Sequence, residues 1–215
     1  LLAGNQRFRS ERRLKRDFSR QVRDTASSQH PMAVVLSCID SRTPPEIIFD
    51  LGLGDIFSVR VAGNIVTPEV LGSIEFGCVG AGAKLIVVVG HNRCVAVQSA
   101  IDFMQEKQDP ELNKCEYVRS IVQSLESVLR DSESSQPVNT KGNESIFEAD
   151  IVVRQNVQRS VNEILQKSAS IFELVHSGQV GIIGIVYDVT TGVCHVMDET
   201  SRGLGETSSI DMQRQ

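Results

Sequence analysis

The sequence predicts an α/β fold: a central, mostly parallel β-sheet of about four strands, a short antiparallel strand near the C-terminal end, and helices on the flanks. Three observations carry this. The run Lys84 to Gly90 is apolar and β-branched almost throughout, as expected of a parallel strand covered on both faces. Other stretches place apolar residues at helical spacing, most clearly Val118, Ile121, Val122, Leu125, Val128 and Leu129. The two patterns alternate along the 215 residues with no internal repeat and no compositional break. One domain over residues 1–199 is therefore expected, beginning with a helical arm over 1–24 and followed by a polar tail over 200–215.

The elements follow in order. Residues 1–24 read as a basic helix carrying Arg7, Arg9, Arg12, Arg13, Lys15, Arg16, Arg20 and Arg23. Its plain reading is a solvated helix face; its functional reading is a partner-binding arm. Pro31 precedes a first strand, Met32 to Ser37, and Pro44-Pro45 opens a short helix through Leu51. Ile56 to Ala62 forms a second strand. Pro68 starts a helix with Val70, Leu71, Ile74 and Val79 on its buried stripe. After the Lys84 to Gly90 strand, His91 to Cys94 turns the chain into a helix through about Lys107. The Val118 helix follows, then a loop rich in Ser, Pro, Asn and Gly over Asp131 to Asn143. A long helix is expected from Ile151 to about Val175, then a strand from Gln179 to Val189. Thr191-Gly192 turns into the antiparallel strand Val193 to Met197, and the tail from Glu199 reads as loose.

Composition narrows the function classes. Apolar residues make up 40% and charged residues 23%, ordinary values for a globular domain. A net charge of −5 argues against nucleic-acid binding. No run approaches the roughly 18 apolar residues of a membrane span. Five cysteines do not make a disulfide scaffold in a chain of this length, and two at ligand spacing fit a reducing compartment, so a cytoplasmic location is expected. The chain begins Leu1-Leu2-Ala3-Gly4, which leaves an upstream targeting segment or further domain open. Gly77, Gly80 and Gly82 do not form a dinucleotide-binding turn.

The chemistry concentrates at the ends of two predicted strands. Cys38-Ile39-Asp40-Ser41-Arg42 follows the first, and His91-Asn92-Arg93-Cys94 follows the third. Two thiols, an imidazole and a carboxylate form a donor set for tetrahedral zinc. Cys38 and Asp40, two apart, share a side of an extended segment, and His91 and Cys94, three apart, face one point across a turn. Arg42 adds a competitor, because a guanidinium can take Asp40 in a two-point pair. With Asp40 on the metal the sphere is closed and structural. With Asp40 on Arg42 one position opens to water, whose pKa bound zinc lowers toward ~7. Both states stay open at this stage.

These residues resemble the β-class carbonic anhydrases. Both the Cys-x-Asp-Ser-Arg and the His-x-x-Cys signatures stand here intact, and the resemblance covers nearly the whole chain. Leu2 to Phe8 is similar to the family's opening helix, Phe57 to Asn64 to its second strand and turn, and Val180 to Gly192 to its closing strand and turn. The resemblance implies reversible hydration of CO2 to bicarbonate, with one zinc ion per subunit on Cys38, His91 and Cys94. It makes Asp40 and Arg42 a gating dyad, with Asp40 a conditional metal ligand, and Gln29, Phe57 and Ala62 contacts to substrate. It also implies a homodimer or higher homo-oligomer with the site at a subunit interface, and so a dimer-arm role for the N-terminal helix.

Two departures from the family's pattern matter. Val95 stands where a glycine usually follows the second ligand cysteine, so it crowds the pocket or forbids a backbone angle. Val35 stands where some members carry a tryptophan of an inhibitory bicarbonate pocket, and that pocket is expected to be absent. Val95 also motivates a second reading, a catalytically weakened zinc-binding or assembly module. A third reading keeps the metal chemistry and changes the substrate to a CO2-like molecule such as carbonyl sulfide.

Overall fold

A computed structural model describes residues 1–107, 110–133 and 144–205. Five strands form one sheet in the order β2-β1-β3-β4-β5, with β1 Ala33–Ser37, β2 Ile56–Arg60, β3 Leu85–His91, β4 Gly181–Tyr187 and β5 Cys194–Arg202. All neighbours are parallel except β4 and β5. The helices are α1 Leu2–Arg9, α2 Phe18–Thr25, α3 Pro45–Ile48, α4 Pro68–Glu75, α5 Val95–Met104, α6 Pro110–Asn113, α7 Glu116–Glu133, α8 Glu144–Lys167 and α9 Ala169–His176.

The central strands are buried on both faces, and their side chains alternate between two cores. Val34, Leu36, Ile86 and Val88 point into a core closed by α4, α8 and α9 through Ile74, Val157, Val161, Ile164 and Ile171. Val35, Val87 and Val89 point the other way, onto Ile48 and Phe49 of the α3 segment, and Leu1 and Phe8, at the two ends of α1, pack against the same cluster. Helix α8 lies so close on the sheet that a Cβ at Gly90 would stand 2.5 Å from Val157. The third apolar cluster holds Ile65, Val97, Ile101, Val122, Leu125 and Val153, and it encloses the sulfurs of Cys38 and Cys94.

The chain leaves β1 to form β2 on one side, then crosses back to place β3 on the other side of β1. That reversal is a topological switch point, where a crevice opens at the carboxyl ends of the strands. Ser37 pairs with Val89, so Cys38 and His91 leave the sheet side by side.

Several boundaries differ from the sequence reading. The expected single helix over 1–24 is two helices, because Asp50 draws the intervening segment down. Asp50 follows α3 at φ +48 and is buried. Its carboxylate accepts from Arg7 Nε at 2.6 Å, from Arg16 Nη1 at 2.5 Å and from the Leu14 amide at 3.2 Å. Asp17 then caps α2 by accepting from the Arg20 amide at 2.9 Å. Helix α4 stops at Glu75 and passes into a wide π turn, Phe76–Gly80, which leaves Val79 exposed instead of on the buried stripe. The expected long helix to Val175 breaks at Ser168, whose hydroxyl caps α9 by accepting from the Ile171 amide at 3.2 Å. Strand β5 continues through Arg202 because Thr200 is buried and its hydroxyl accepts from the Gly184 amide at 2.7 Å. The loop expected over 131–143 begins inside α7, and its residues 134–143 lie outside the described ones, as do 206–215 of the tail. Among the described residues no helix is long and apolar enough to cross a membrane.

Candidate metal centre

Each donor is placed by the end of an element. Cys38 is the first residue after β1, His91 is the last of β3, and Cys94 is the N-cap of α5 with extended backbone, φ −75° and ψ 116°. All three are buried, and their donor atoms lie within 4.8 Å of one another. The sulfurs of Cys38 and Cys94 are 4.0 Å apart. That is far beyond the ~2.05 Å of a disulfide. It is close to the ~3.8 Å that two thiolates take about a tetrahedral ion at ~2.3 Å.

The imidazole is oriented from behind. His91 Nδ1 lies 2.8 Å from the carbonyl oxygen of Asn92, which can only accept, so Nδ1 carries the proton. Nε2 is therefore a bare lone pair; it is buried and has no hydrogen-bond partner. A buried polar atom left unpaired is costly. Here it faces two sulfurs, a donor set that suits zinc. Asn92 is fixed in turn: its Nδ2 donates to Asp188 Oδ1 at 3.0 Å and its Oδ1 accepts from the Val189 amide at 2.9 Å.

The two sulfurs lie within hydrogen-bond reach of each other. The hydrogen bond with Cys94 holds the Cys38 thiol well below its ordinary value, against the effect of burial and helped by the neighbouring His91 imidazole and by the backbone N–H groups of Asp40 and Gly63. The same contact with Cys38, together with burial, pushes the Cys94 thiol up. A cation held by Cys38 and Cys94 would favour the ionised form of both thiols.

Asp40 stands beside this set. Arg42 donates from Nε to Oδ1 at 2.9 Å and from Nη2 to Oδ2 at 2.6 Å, and its amide also donates to Oδ1. This fork holds the Asp40 carboxyl down to about 2. Asp40 Oδ2 remains 3.9 Å from His91 Nε2. Arg42 Nη2 also donates to the Arg93 carbonyl at 3.1 Å, tying the two motif halves together. Arg93 itself sits at φ +53, in the left-handed region. A second guanidinium, Arg60, donates to the carbonyls of Cys38 at 3.0 Å and Asp40 at 2.6 Å.

The remaining sequence-predicted positions divide. Ala62 lies in the 3-10 turn Ala62–Asn64 at the carboxyl end of β2, next to Gly63, whose amide donates to Cys38 Sγ at 3.4 Å. Gln29 is exposed and precedes β1, at the opposite edge of the sheet from Cys38. Phe57 is the second residue of β2, paired with Val34 and edge-on to Phe76 at 6.5 Å. The single chain therefore brings Cys38, Asp40, Arg42, His91, Cys94 and Ala62 together and leaves Gln29 and Phe57 apart from them. Val95 is the first residue of α5; its φ is not positive, and its side chain is 67% exposed. The backbone here does not need glycine. Val95 and Cys94 border a cavity of about 700 Å³ between α5 and α7. Val35 is fully buried in the sheet.

Sequence reasoning gave no role to Arg60, Asn92, Asp188 or Asn156. Asn92 adjoins a ligand and was findable by position. Arg60 and Asn156 act through the backbone carbonyls of Cys38, Asp40 and Gly63, and Asp188 through the side-chain amide of Asn92, all distant in sequence and revealed by no spacing.

Residues 33–194 match the family model for carbonic anhydrase. The chain belongs to the carbonic anhydrase family. It is 33% identical over 193 residues to carbonic anhydrase 2 of Mycobacterium tuberculosis, covering 89% of this chain and 87% of that protein. The solved β-carbonic anhydrase CcaA superposes with a TM-score of 0.70 at 25% identity, over 92% of this chain and 93% of the other. A tetrameric β-carbonic anhydrase of Sordaria macrospora shares the fold with a TM-score of 0.68 at 20% identity, over 83% and 90%. The α/β architecture expected from sequence is thus the β-carbonic anhydrase fold.

Proposed function

We propose that the protein is a zinc-dependent carbonic anhydrase that hydrates CO2 reversibly to bicarbonate and a proton, with Cys38, His91 and Cys94 as its fixed ligands and one zinc ion per subunit. The observation that carries the metal is the buried, bare Nε2 of His91 facing two sulfurs 4.0 Å apart. When bound, zinc supplies Lewis acidity that lowers the pKa of a water from ~15.7 toward ~7.

The chain's own residues do the rest. Arg42 occupies both carboxylate oxygens of Asp40 and so holds it off the ligand set. Asp40 stays ionised at working pH and is therefore an acceptor only. It orients the attacking water by accepting a hydrogen bond at Oδ2. Ala62 and the apolar cluster around Ile65 and Val97 give CO2 a dry wall.

The assembly reading is a homodimer or higher homo-oligomer. Gln29 and Phe57 lie away from their own chain's Cys38, so they act as substrate contacts only at the site of a second copy. Phe76, exposed and edge-on to Phe57, and Val79, exposed in the same turn, give that edge an apolar surface to cover.

The test is CO2 hydration against pH on protein of measured zinc content. The rate should rise with pH between about 7 and 9 and scale with zinc. Zinc-loaded protein with no hydration above buffer overturns the reading.

A further inference from the structure

Helix α8 reaches the metal centre through one buried amide. Asn156 is 3% exposed, and its Nδ2 donates to the Gly63 carbonyl at 2.7 Å. One helical turn on, the Ser160 hydroxyl donates to the Asn64 carbonyl at 3.2 Å. The two carbonyls belong to consecutive residues in the left-handed region, Gly63 at φ +67 and Asn64 at φ +43. For a non-glycine residue that conformation is unfavourable and persists only when its surroundings fix it. The turn has little room to shift, since a Cβ at Gly63 would stand 3.1 Å from Leu125 and 3.5 Å from Ala96. In this one conformation the Gly63 amide donates to Cys38 Sγ.

We propose that Asn156 is a positioning residue for the zinc ligand Cys38: it clamps the Gly63 carbonyl and thereby aims the Gly63 N–H at the Cys38 sulfur. This rests on the zinc reading above. An N–H bonded to a thiolate withdraws charge from sulfur and fixes its direction. Partners behind a metal ligand typically contribute 10–100-fold in metal affinity. Asn156 carries two polar side-chain atoms on a buried helix face, and the Gly63 carbonyl supplies the partner of Nδ2 there.

Asn156→Leu removes the donor at nearly constant size. Competition for zinc with a chelator should show affinity weaker by about tenfold or more. In the cobalt(II)-substituted protein, the sulfur-to-cobalt charge-transfer band should move to longer wavelength, because a sulfur that has lost a donor gives up charge more easily. Ser160→Ala removes the neighbouring bond of the same helix and should lower thermal stability without moving zinc affinity or the band. If Asn156→Leu does not fold, Asn156→Ala removes the donor without adding bulk and should show the same two changes. The proposal is overturned if a folded Asn156 variant holds zinc and gives the band as the unaltered protein does, or if Ser160→Ala weakens zinc equally. Unaltered protein that binds no zinc would overturn the metal reading itself, a result separate from either.

Discussion

Arg42 grips Asp40 at two points, Nε to Oδ1 at 2.9 Å and Nη2 to Oδ2 at 2.6 Å, while Oδ2 lies 3.9 Å from the bare nitrogen of His91. The carboxylate is thus poised beside the donor set without belonging to it. Asp40→Asn should keep zinc and lose about 100-fold or more in kcat/KM, since the amide cannot replace an ionised acceptor. Arg42→Lys should also lose activity, because an ammonium cannot reproduce the planar fork. Stopped-flow CO2 hydration with zinc content measured on the same samples checks both.

Cys38→Ser should purify with far less zinc than the unaltered protein, because a serine hydroxyl at neutral pH is a poor substitute for thiolate. Elemental analysis after dialysis reads this directly. Stoichiometric zinc in the variant would mean that Cys38 is not a ligand.

Gln29 and Cys38 stand at opposite edges of the sheet, separated by a five-residue strand. At ~3.3 Å per residue that strand alone spans about 16 Å. Subunits carrying Gln29→Ala, mixed and reassembled with subunits carrying Cys38→Ser, should form hybrids with one intact site. Their CO2 hydration should exceed the mean of the two parents. Activity equal to that mean would place Gln29 within its own subunit's site.

Asp50 anchors the N-terminal arm and sets an acid limit on stability. Burial pushes its carboxyl up, but hydrogen bonds from Arg7, Arg16 and the Leu14 amide outweigh this and hold it at about 2. The unfolded value is about 3.9. Because the folded value is the lower one, the stabilisation is complete above about pH 4 and is lost as the pH falls through about 2. Asp50→Asn should cost about 2–3 kcal/mol at neutral pH, or roughly 5–10 °C in Tm for a chain of this size. Thermal melts of the two proteins should converge as the pH approaches 2.

Val95 opens α5 with its side chain in solvent, so its exchange for glycine touches no buried contact. Val95→Gly should cost about 0.5–1 kcal/mol through backbone entropy and leave kcat/KM within a few-fold. A large gain in kcat/KM would show that valine crowds the approach to Cys94.

The sequence by itself determined the strands and the donors. Lys84 to Gly90 is too uniformly β-branched to be anything but a buried strand, and two cysteines, a histidine and an aspartate at two strand ends have few chemical alternatives to a metal. Arg42 was legible as the competitor for Asp40 because the two are neighbours in the chain. What depended on charges and carbonyls far away in sequence was not legible. The basic arm breaks between α1 and α2 because Asp50, beyond the reach of any helical period, pulls Arg7 and Arg16 onto one carboxylate. Asn156 reads as an ordinary polar residue of a helix until the fold lays it on the Gly63 carbonyl, 93 residues away. The approach of the two sulfur donors was likewise a tertiary matter. Strand order made β1 and β3 neighbours across the switch point, and that closed the sulfurs to 4.0 Å. Local spacing records which atoms a segment offers; only packing decides which way they point and what stands opposite.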